Sequence, residues 1–130
     1  MNATSGPGCV FCDLINGHRV VVEHATVCAV RDKFPVTEGH HLVITKRHVS
    51  DFFTMTEAER RDAEELILIL KSKVLENDPT VKGFNIGMNC GVVAGQTVMH
   101  AHIHLIPRRE GDVDDPRGGI RGCVPVNMSY

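Results

Sequence analysis

Three histidines alternate with apolar residues near the end of the chain. Successive side chains of a β-strand point to opposite faces, so His100, His102 and His104 would form a row on one face, with imidazoles about 6.5 Å apart. The intervening Ala101 and Ile103 would form an apolar face that can pack on a helix. Surface histidines or a purification tag are the alternatives, but a tag would be consecutive and terminal. A neutral imidazole is a competent nucleophile near neutral pH, so the row predicts a catalytic site.

A pair of cysteines, Cys9 and Cys12, has the Cys-x-x-Cys spacing of a metal-ligand pair or a redox pair. A single pair of this kind can also be incidental. The other three cysteines, Cys28, Cys90 and Cys123, are expected to be free thiols. Five cysteines cannot all pair within one chain, so the composition argues against the disulfide framework of a secreted protein.

Length and composition bound the fold and the partners. A chain of 130 residues suits one domain, residues 1–130, with one core. The formal net charge of -2 provides no broad basic surface for duplex nucleic acid, so phosphate recognition must be local. The chain has neither a long apolar run nor a signal peptide, so we expect a soluble cytoplasmic protein without a membrane partner. We expect residues 1–8 to form a flexible arm and residues 109–130 an irregular tail.

Local patterns predict an α+β domain with five strands and two helices. The strands are predicted from β-branched and alternating runs at residues 20–23, 26–30, 42–45, 84–88 and 99–106. Thr56 and Glu59 form a capping box at the start of a long helix, and Pro79 ends it. Its apolar face, which should pack on the sheet, comprises Ala63, Leu66, Ile67, Leu70 and Val74. A short N-terminal helix is predicted at residues 9–15.

The segment from His100 to Ile106 resembles the His-φ-His-φ-His-φ-φ signature of the histidine-triad (HIT) family, where φ is an apolar residue. The likeness extends from Cys9 to Arg108 and includes residues 39–44 and 95–97, so only the two ends lack a counterpart. It implies a five-stranded antiparallel sheet with one long helix. It also implies a homodimer in which helices and edge strands join two such sheets.

The resemblance implies a role for each residue of the site. His102 would be the nucleophile that attacks the α-phosphorus of a purine nucleotide, forming a nucleotidyl-histidine that water then hydrolyses. His104 and His40 would donate hydrogen bonds to the non-bridging phosphate oxygens. Asp32 matches a ribose-binding position, although without the resemblance it reads as a solvated loop residue. The other substrate-binding positions are Asn89, Gly95, Gln96 and Thr97, the last three on the phosphate side, and Val10, Phe11 and Leu14 around the base. The three residues around the base could equally belong to the core.

A structural zinc ion is also implied, since in this family and in the related galactose-1-phosphate uridylyltransferases a Cys-x-x-Cys pair joins two distant histidines. The ligands here would be Cys9, Cys12, His48 and His100, which form a closed tetrahedral set. His100 would then hold metal rather than substrate. The remaining histidines, expected to be surface or loop residues, are His18, His24 and His41.

The implied activity is that of a nucleotide hydrolase or transferase acting at the α-phosphate, with two leaving groups open. Residues 107–112 are more similar to the diadenosine polyphosphate hydrolases of the fragile-histidine-triad branch than to the purine nucleoside phosphoramidases. A non-catalytic nucleotide-binding or zinc-binding adaptor is the alternative from another class, and the intact His102 argues against it. A nucleic-acid deadenylase of the aprataxin type is disfavoured by the short chain and its net negative charge.

Overall fold

Five antiparallel strands form one sheet in the computed structural model of the protein, which describes residues 8–130. The strands are β1 (Val22–His24), β2 (Val27–Arg31), β3 (His41–Thr45), β4 (Val81–Gly87) and β5 (His102–Arg109). Their order across the sheet is β1-β2-β3-β5-β4, so β5 lies between β3 and the edge strand β4. The predicted α+β fold is confirmed. The arm expected at residues 1–8 lies outside the described residues, except for Gly8.

Two helices accompany the sheet, α1 (Val10–Asn16) and α2 (Glu57–Asn77). The capping box predicted for α2 is present. The Oγ1 of Thr56 accepts a hydrogen bond from the backbone N–H of Glu59 at 3.1 Å, and the Oε1 of Glu59 accepts one from the backbone N–H of Thr56 at 2.8 Å. The chain leaves the helix at Asp78. Within residues 8–130, no helix is long and apolar enough to cross a membrane.

Each face of the sheet carries an apolar cluster. Helix α2 covers one face, where the buried residues include Val27, Ala29, Val43, Ala63, Leu66, Leu70, Ala101 and Leu105. Helix α1 lies on the other face, where the buried residues are Phe11, Cys28, Val30, Leu42 and Ile44. Leu105 therefore points from β5 toward α2. His102 and His104 pair directly with Ile44 and Leu42, so both lie on the α1 side. This confirms the predicted alternation along β5.

Strand β5 begins later than the sequence predicted, at His102 instead of residue 99. Residues 99–101 do not join the sheet ladder, because the backbone N–H of Ala101 bonds to the carbonyl of Val49 at 2.7 Å. The strand continues to Arg109, which was expected in the irregular tail. Beyond it the chain consists of turns and two short 3₁₀ helices, Gly119–Cys123 and Pro125–Asn127.

The other strand boundaries also move by a few residues. Strand β1 is shifted to Val22–His24, because the turn at Ala25 has a φ of 51° and lets His24 pair with Val27. Strand β3 begins one residue earlier, at His41, which pairs with both neighbouring strands. Strand β4 begins three residues earlier and pairs with β5 as far as Arg109.

Candidate active site

Strand β5 presents two histidines to the α1 side of the sheet. The ring centroids of His102 and His104 lie 5.3 Å apart, which is closer than the separation of about 6.5 Å predicted for alternate residues of one strand. His100 precedes the strand and leaves this row. Its ring turns toward the sulfur atoms of Cys9 and Cys12. The structure therefore brings two of the three histidines of the motif together as a row, and separates the first.

The ring of His102 is held in one tautomer by the backbone. Its Nδ1 lies 2.7 Å from the carbonyl oxygen of His100. A carbonyl oxygen can only accept, so Nδ1 carries the hydrogen and the lone pair is on Nε2. The ring of Phe11 packs edge-on against His102 with centroids 5.0 Å apart, and His102 is buried. These contacts hold the ring in place with its lone pair on Nε2.

A second chain of contacts orients His40 and His104. The backbone N–H of Val36 donates to the Nδ1 of His40 at 3.0 Å, so a neutral His40 carries its hydrogen on Nε2. That Nε2 lies 2.9 Å from the Nδ1 of His104 and 3.3 Å from the Oδ2 of Asp32. When His40 donates to His104, the hydrogen of a neutral His104 must be on its own Nε2. His104 can then offer an N–H to a ligand beside His102.

The environment of these two histidines favours their neutral forms. Burial lowers the pKa of His40, and the nearby Asp32 carboxylate opposes this effect. Burial also lowers the pKa of His104, with His102 and His40 adding to the decrease and Asp32 opposing it. His104 can therefore act as a neutral hydrogen-bond donor beside His102.

The loop between β4 and β5 is organised by the buried side chain of Gln96. Its Oε1 accepts from the backbone N–H of Gly91 at 2.8 Å, and its Nε2 donates to the carbonyl oxygens of Ser50 and Val98. This side chain closes the loop and ties it to the segment after β3. Thr97, the next residue, is exposed. Direct contact of Gln96 or Thr97 with phosphate stays a prediction.

Two further predicted substrate positions lie beside each other in this loop. Gly95 has a φ of 96°, a left-handed conformation that favours glycine. A Cβ added at Gly95 would come within 3.7 Å of the side-chain nitrogen of Asn89. Asn89 is half-buried at the end of β4, so its amide lies close to the backbone of the Gly95 turn. Their contacts with substrate stay predictions.

The three residues predicted around the base divide into core and surface positions. Phe11 belongs to the apolar cluster under α1, and Leu14 packs against that cluster. Val10 is exposed on the first turn of the helix. Phe11 also touches His102, as described above, so the core of this face reaches the candidate nucleophile. A base-binding role for these three residues stays a prediction.

Cys9, Cys12, His48 and His100 form a compact cluster at the N-terminal end of α1. The Nδ1 atoms of His48 and His100 are 3.2 Å apart, and the Sγ of Cys12 lies 3.3 Å and 3.5 Å from them. The Sγ of Cys9 is 3.5 Å from the Nδ1 of His100. Tetrahedral zinc with ordinary bond lengths separates such ligand atoms by about 3.3–3.6 Å. The donor set and its spacing therefore fit a zinc ion.

The backbone orients this cluster as metal sites require. The Nε2–H of His100 donates to the carbonyl oxygen of Thr45 at 2.6 Å, which leaves Nδ1 as the ligand atom. Burial lowers the pKa of His100 and so favours the neutral ring that binds metal. All five cysteines lie in residues 8–130, and none forms a disulfide.

One histidine differs from its sequence expectation. His41 was expected at the surface or in a loop, but it is buried in β3 on the α2 side of the sheet. Its Nδ1–H donates to the carbonyl oxygen of Gly39 at 2.6 Å. The available signal was its position directly before the buried run of β3. The contact of Val36 with His40 could not have been found this way, because it depends on the path of a loop.

Comparison with known proteins agrees with this geometry. The HIT domain family model matches residues 16–111. A HIT-like protein of Mycoplasma genitalium is 36% identical over 114 residues, covering 84% of this chain and 77% of that protein. The adenosine 5'-monophosphoramidase HNT1 of Candida albicans is 32% identical over 113 residues, covering 82% and 74%. The AP-4-A phosphorylase of Mycobacterium tuberculosis is 35% identical over 97 residues, covering 73% of this chain but only 49% of that protein.

A solved structure shows the same fold. The zinc-bound histidine-triad family protein from Mycobacterium smegmatis superposes with a TM-score of 0.74 at 32% identity, covering 82% of this chain and 78% of that one. The family model spans most of the chain, and two histidines of the motif, His102 and His104, lie on β5 as described above. The chain therefore belongs to the HIT family, whose signature it carries at His100, His102 and His104.

Proposed function

We propose that the protein is a nucleotide hydrolase that cleaves at the α-phosphate through a covalent intermediate on His102. The observation that carries this proposal is the 2.7 Å contact between the Nδ1 of His102 and the carbonyl oxygen of His100. This contact leaves the lone pair on Nε2, where a nucleophile needs it. Membership of a family that contains nucleotide-cleaving enzymes supports the same reaction class.

The reaction takes place in two displacements. The Nε2 lone pair of His102 forms a bond to the α-phosphorus, and the leaving group departs with the electron pair of the broken bond. Water then attacks the phosphorus and releases a proton to solvent, while the N–P bond breaks and its electron pair returns to the Nε2 of His102. His104 donates a hydrogen bond from its Nε2–H to a non-bridging oxygen, which carries negative charge throughout, and His40 holds His104 in the tautomer that can donate. Two displacements at phosphorus replace one harder hydrolysis.

The remaining predicted contacts position the nucleotide. Asp32 accepts hydrogen bonds from the ribose hydroxyl groups, while its Oδ2 also lies beside His40. The loop held by Gln96 presents Asn89, Gly95 and Thr97 to the phosphate and the leaving group. On the other side of the nucleophile, Val10, Phe11 and Leu14 contact an adenine or other purine base.

Diadenosine polyphosphates and related adenine nucleotides are the proposed substrates. The AP-4-A phosphorylase relative and the resemblance of residues 107–112 to the fragile-histidine-triad branch support this choice. A purine nucleoside phosphoramidate is the alternative, which the greater coverage of the adenosine 5'-monophosphoramidase relative favours. Both substrates present the same α-phosphate to His102 and differ in the leaving group, a nucleotide or an amine.

A structural zinc ion held by Cys9, Cys12, His48 and His100 is part of the proposal. The metal would cross-link the start of α1 to the segment after β3 and the segment before β5, and it would take no part in the displacement. The fit of the ligand spacing and the zinc-bound structural neighbour support it. Because His100 also supplies the carbonyl that holds His102, the cross-link would steady the nucleophile.

A homodimer is proposed as the assembly. Helix α2 exposes Leu68, Ile69 and Leu75 on the side away from the sheet, and the edge strand β4 exposes Ile86. Aliphatic side chains exposed on a helix and a neighbouring edge strand are typical of a surface that a second copy covers.

A steady-state comparison of adenosine phosphoramidate with a diadenosine polyphosphate tests the proposed activity. The proposal expects kcat/KM for the dinucleotide to exceed that for the phosphoramidate, and the reverse ratio selects the alternative. His102→Ala should abolish turnover of both. Nucleotide binding without turnover of either substrate would overturn the proposal and favour the non-catalytic adaptor.

A further inference from the structure

A second group of metal-ligating side chains lies on the opposite side of the sheet from His102. It comprises His24 at the end of β1 and the pair Asp62 and Glu65 on α2. Each residue offers one ligand atom, and the three atoms lie within 4.8 Å of one another. The Nε2 of His24 is 3.4 Å from the Oε1 of Glu65. This distance is close to that between two ligands of one metal ion with bonds of about 2.0–2.2 Å.

Two different elements converge to form this cluster. Asp62 and Glu65 are three residues apart on α2, so their side chains project from the same face of the helix. His24 is the last residue of β1, next to Ala25, which has the left-handed φ of 51°. The side chains of His24 and Glu65 are partly exposed, so an ion can reach the cluster from solvent.

The carboxylate of Asp62 is held in a fixed orientation. The backbone N–H and the hydroxyl of Thr26 both donate to its Oδ2, at 3.2 Å and 2.6 Å. Asp62 is only 7% exposed, yet in the described part of the chain no hydrogen bond or ion pair engages its Oδ1. A carboxylate with one oxygen held by hydrogen bonds and the other accessible for binding has the outer-shell support of a metal ligand.

The surrounding charges leave this cluster able to attract a cation. The Nζ of Lys46 lies 3.8 Å from the Oε1 of Glu23, so this lysine pairs with a carboxylate outside the cluster. Arg61 acts on Asp62 from the adjacent helix position and offsets part of the negative charge. The cluster itself has two carboxylates against this one arginine. One imidazole and two carboxylates suit divalent first-row metals such as zinc and cobalt.

We propose that His24, Asp62 and Glu65 bind a divalent transition-metal ion that ties the β1–β2 hairpin to α2. Strand β1 has three residues and pairs with β2 alone. A metal bridge from His24 to the helix would therefore restrain the least supported edge of the sheet. This site is separate from the cysteine cluster and does not depend on the proposed hydrolase activity.

Cobalt(II) titration of the whole protein tests the proposal. Cobalt bound by Cys9 and Cys12 produces a thiolate charge-transfer band, whereas cobalt bound by nitrogen and oxygen does not. We expect two equivalents to bind, and the second to add no charge-transfer intensity. In Cys9→Ser with Cys12→Ser the band should disappear and one equivalent should remain.

Matched variants locate the second equivalent. His24→Gln and Glu65→Gln should each lower the affinity for the second cobalt(II) ion by at least about 10-fold, because each removes a ligand. Thr26→Val should weaken it by about 10–100-fold, because it removes an outer-shell hydrogen bond to Asp62. His18→Asn and Glu64→Gln are controls that change an exposed histidine and a neighbouring helix carboxylate, and both should retain it.

Melting without added metal and with zinc(II) provides the second readout. Zinc should raise the melting temperature of the double cysteine variant, and this rise should vanish with His24→Gln. Binding of only one equivalent by the wild-type chain, with the thiolate charge-transfer band, would overturn the proposal. So would a second equivalent that survives His24→Gln and Glu65→Gln.

Discussion

The Nδ1 of His102 lies 2.7 Å from the carbonyl oxygen of His100, while the imidazole of His100 lies among Cys9, Cys12 and His48. One residue thus contributes its backbone to the candidate nucleophile and its side chain to the candidate zinc site. Any change that loosens the cluster should therefore change the orientation of His102, two residues away.

Removal of the nucleophile is the first test of the site. His102→Ala should lower kcat by about 10⁴-fold or more and leave nucleotide affinity nearly unchanged, because only one imidazole can form the covalent bond. Steady-state kinetics and equilibrium binding measure the two effects. In rapidly quenched wild-type reactions, mass spectrometry should find one nucleotidyl group on the peptide that contains His102. Near wild-type turnover of the variant would contradict the mechanism.

Loss of the proposed zinc ligands should affect stability more than chemistry. Cys9→Ser with Cys12→Ser should remove one zinc per chain and lower the melting temperature by about 10 °C, the shift that about 2–3 kcal/mol produces in a small domain. Residues 8–18 should become sensitive to proteolysis, and activity should fall less than in His102→Ala. Metal analysis and thermal melting provide the measurements. Wild-type protein without zinc but with an unchanged melting temperature would identify Cys9 and Cys12 as plain thiols.

The side chain of Gln96 should stabilise the loop that precedes β5. Gln96→Leu leaves the N–H of Gly91 and two carbonyl oxygens without their partner, so we expect a loss of about 2–3 kcal/mol in the free energy of unfolding. Turnover should fall as well, because the loop leads into His100. Urea unfolding measures the first effect, with the exposed Val93→Gln as the control. Equal stability of the two variants would show that the Gln96 bonds contribute little.

The buried His41 predicts a pH dependence of stability. Burial is the main cause of its lowered pKa, so below about pH 6.5 the unfolded chain binds more protons than the folded one. Its contribution is complete above about pH 6.5 and is lost as the pH falls through the lowered folded pKa. Urea unfolding between about pH 5 and 8 should show a smaller pH slope in His41→Gln than in wild type. The exposed His18→Asn should retain the wild-type slope, and an unchanged slope in His41→Gln would refute the assignment.

The proposed dimer can be disrupted through α2. Leu68 and Leu75 are exposed and seven residues apart, so they lie on one stripe of the helix. Leu68→Lys with Leu75→Lys should convert the dimer to a monomer of 14.3 kDa, because lysine ammonium groups cannot be buried unpaired between two copies. Light scattering at micromolar protein measures the mass, with Val113→Lys as the control. A wild-type chain that is already monomeric would contradict the proposal.

Several features of the fold could be predicted from the sequence because they depend on neighbours along the chain. The capping box at Thr56 and Glu59 follows from two residue types at a fixed spacing, and α2 begins there. The two faces of β5 follow from the alternation of His102, Ile103 and His104. The grouping of Cys9 and Cys12 with two distant histidines was implied by family resemblance, and the four side chains lie together.

Other features were decided only by tertiary structure, because they depend on the packing of residues distant in sequence. The backbone of Val36 sets the tautomer of His40, and His40 in turn contacts His104. The alternating pattern also suggested that His100 would continue the row of histidines. Instead, the backbone N–H of Ala101 bonds to the carbonyl of Val49, so β5 begins only at His102. Alternation assigns a side chain to a face of the sheet only while the strand continues. Where the strand starts, and which loop carbonyl a ring meets, are set by long-range contacts that no local pattern records.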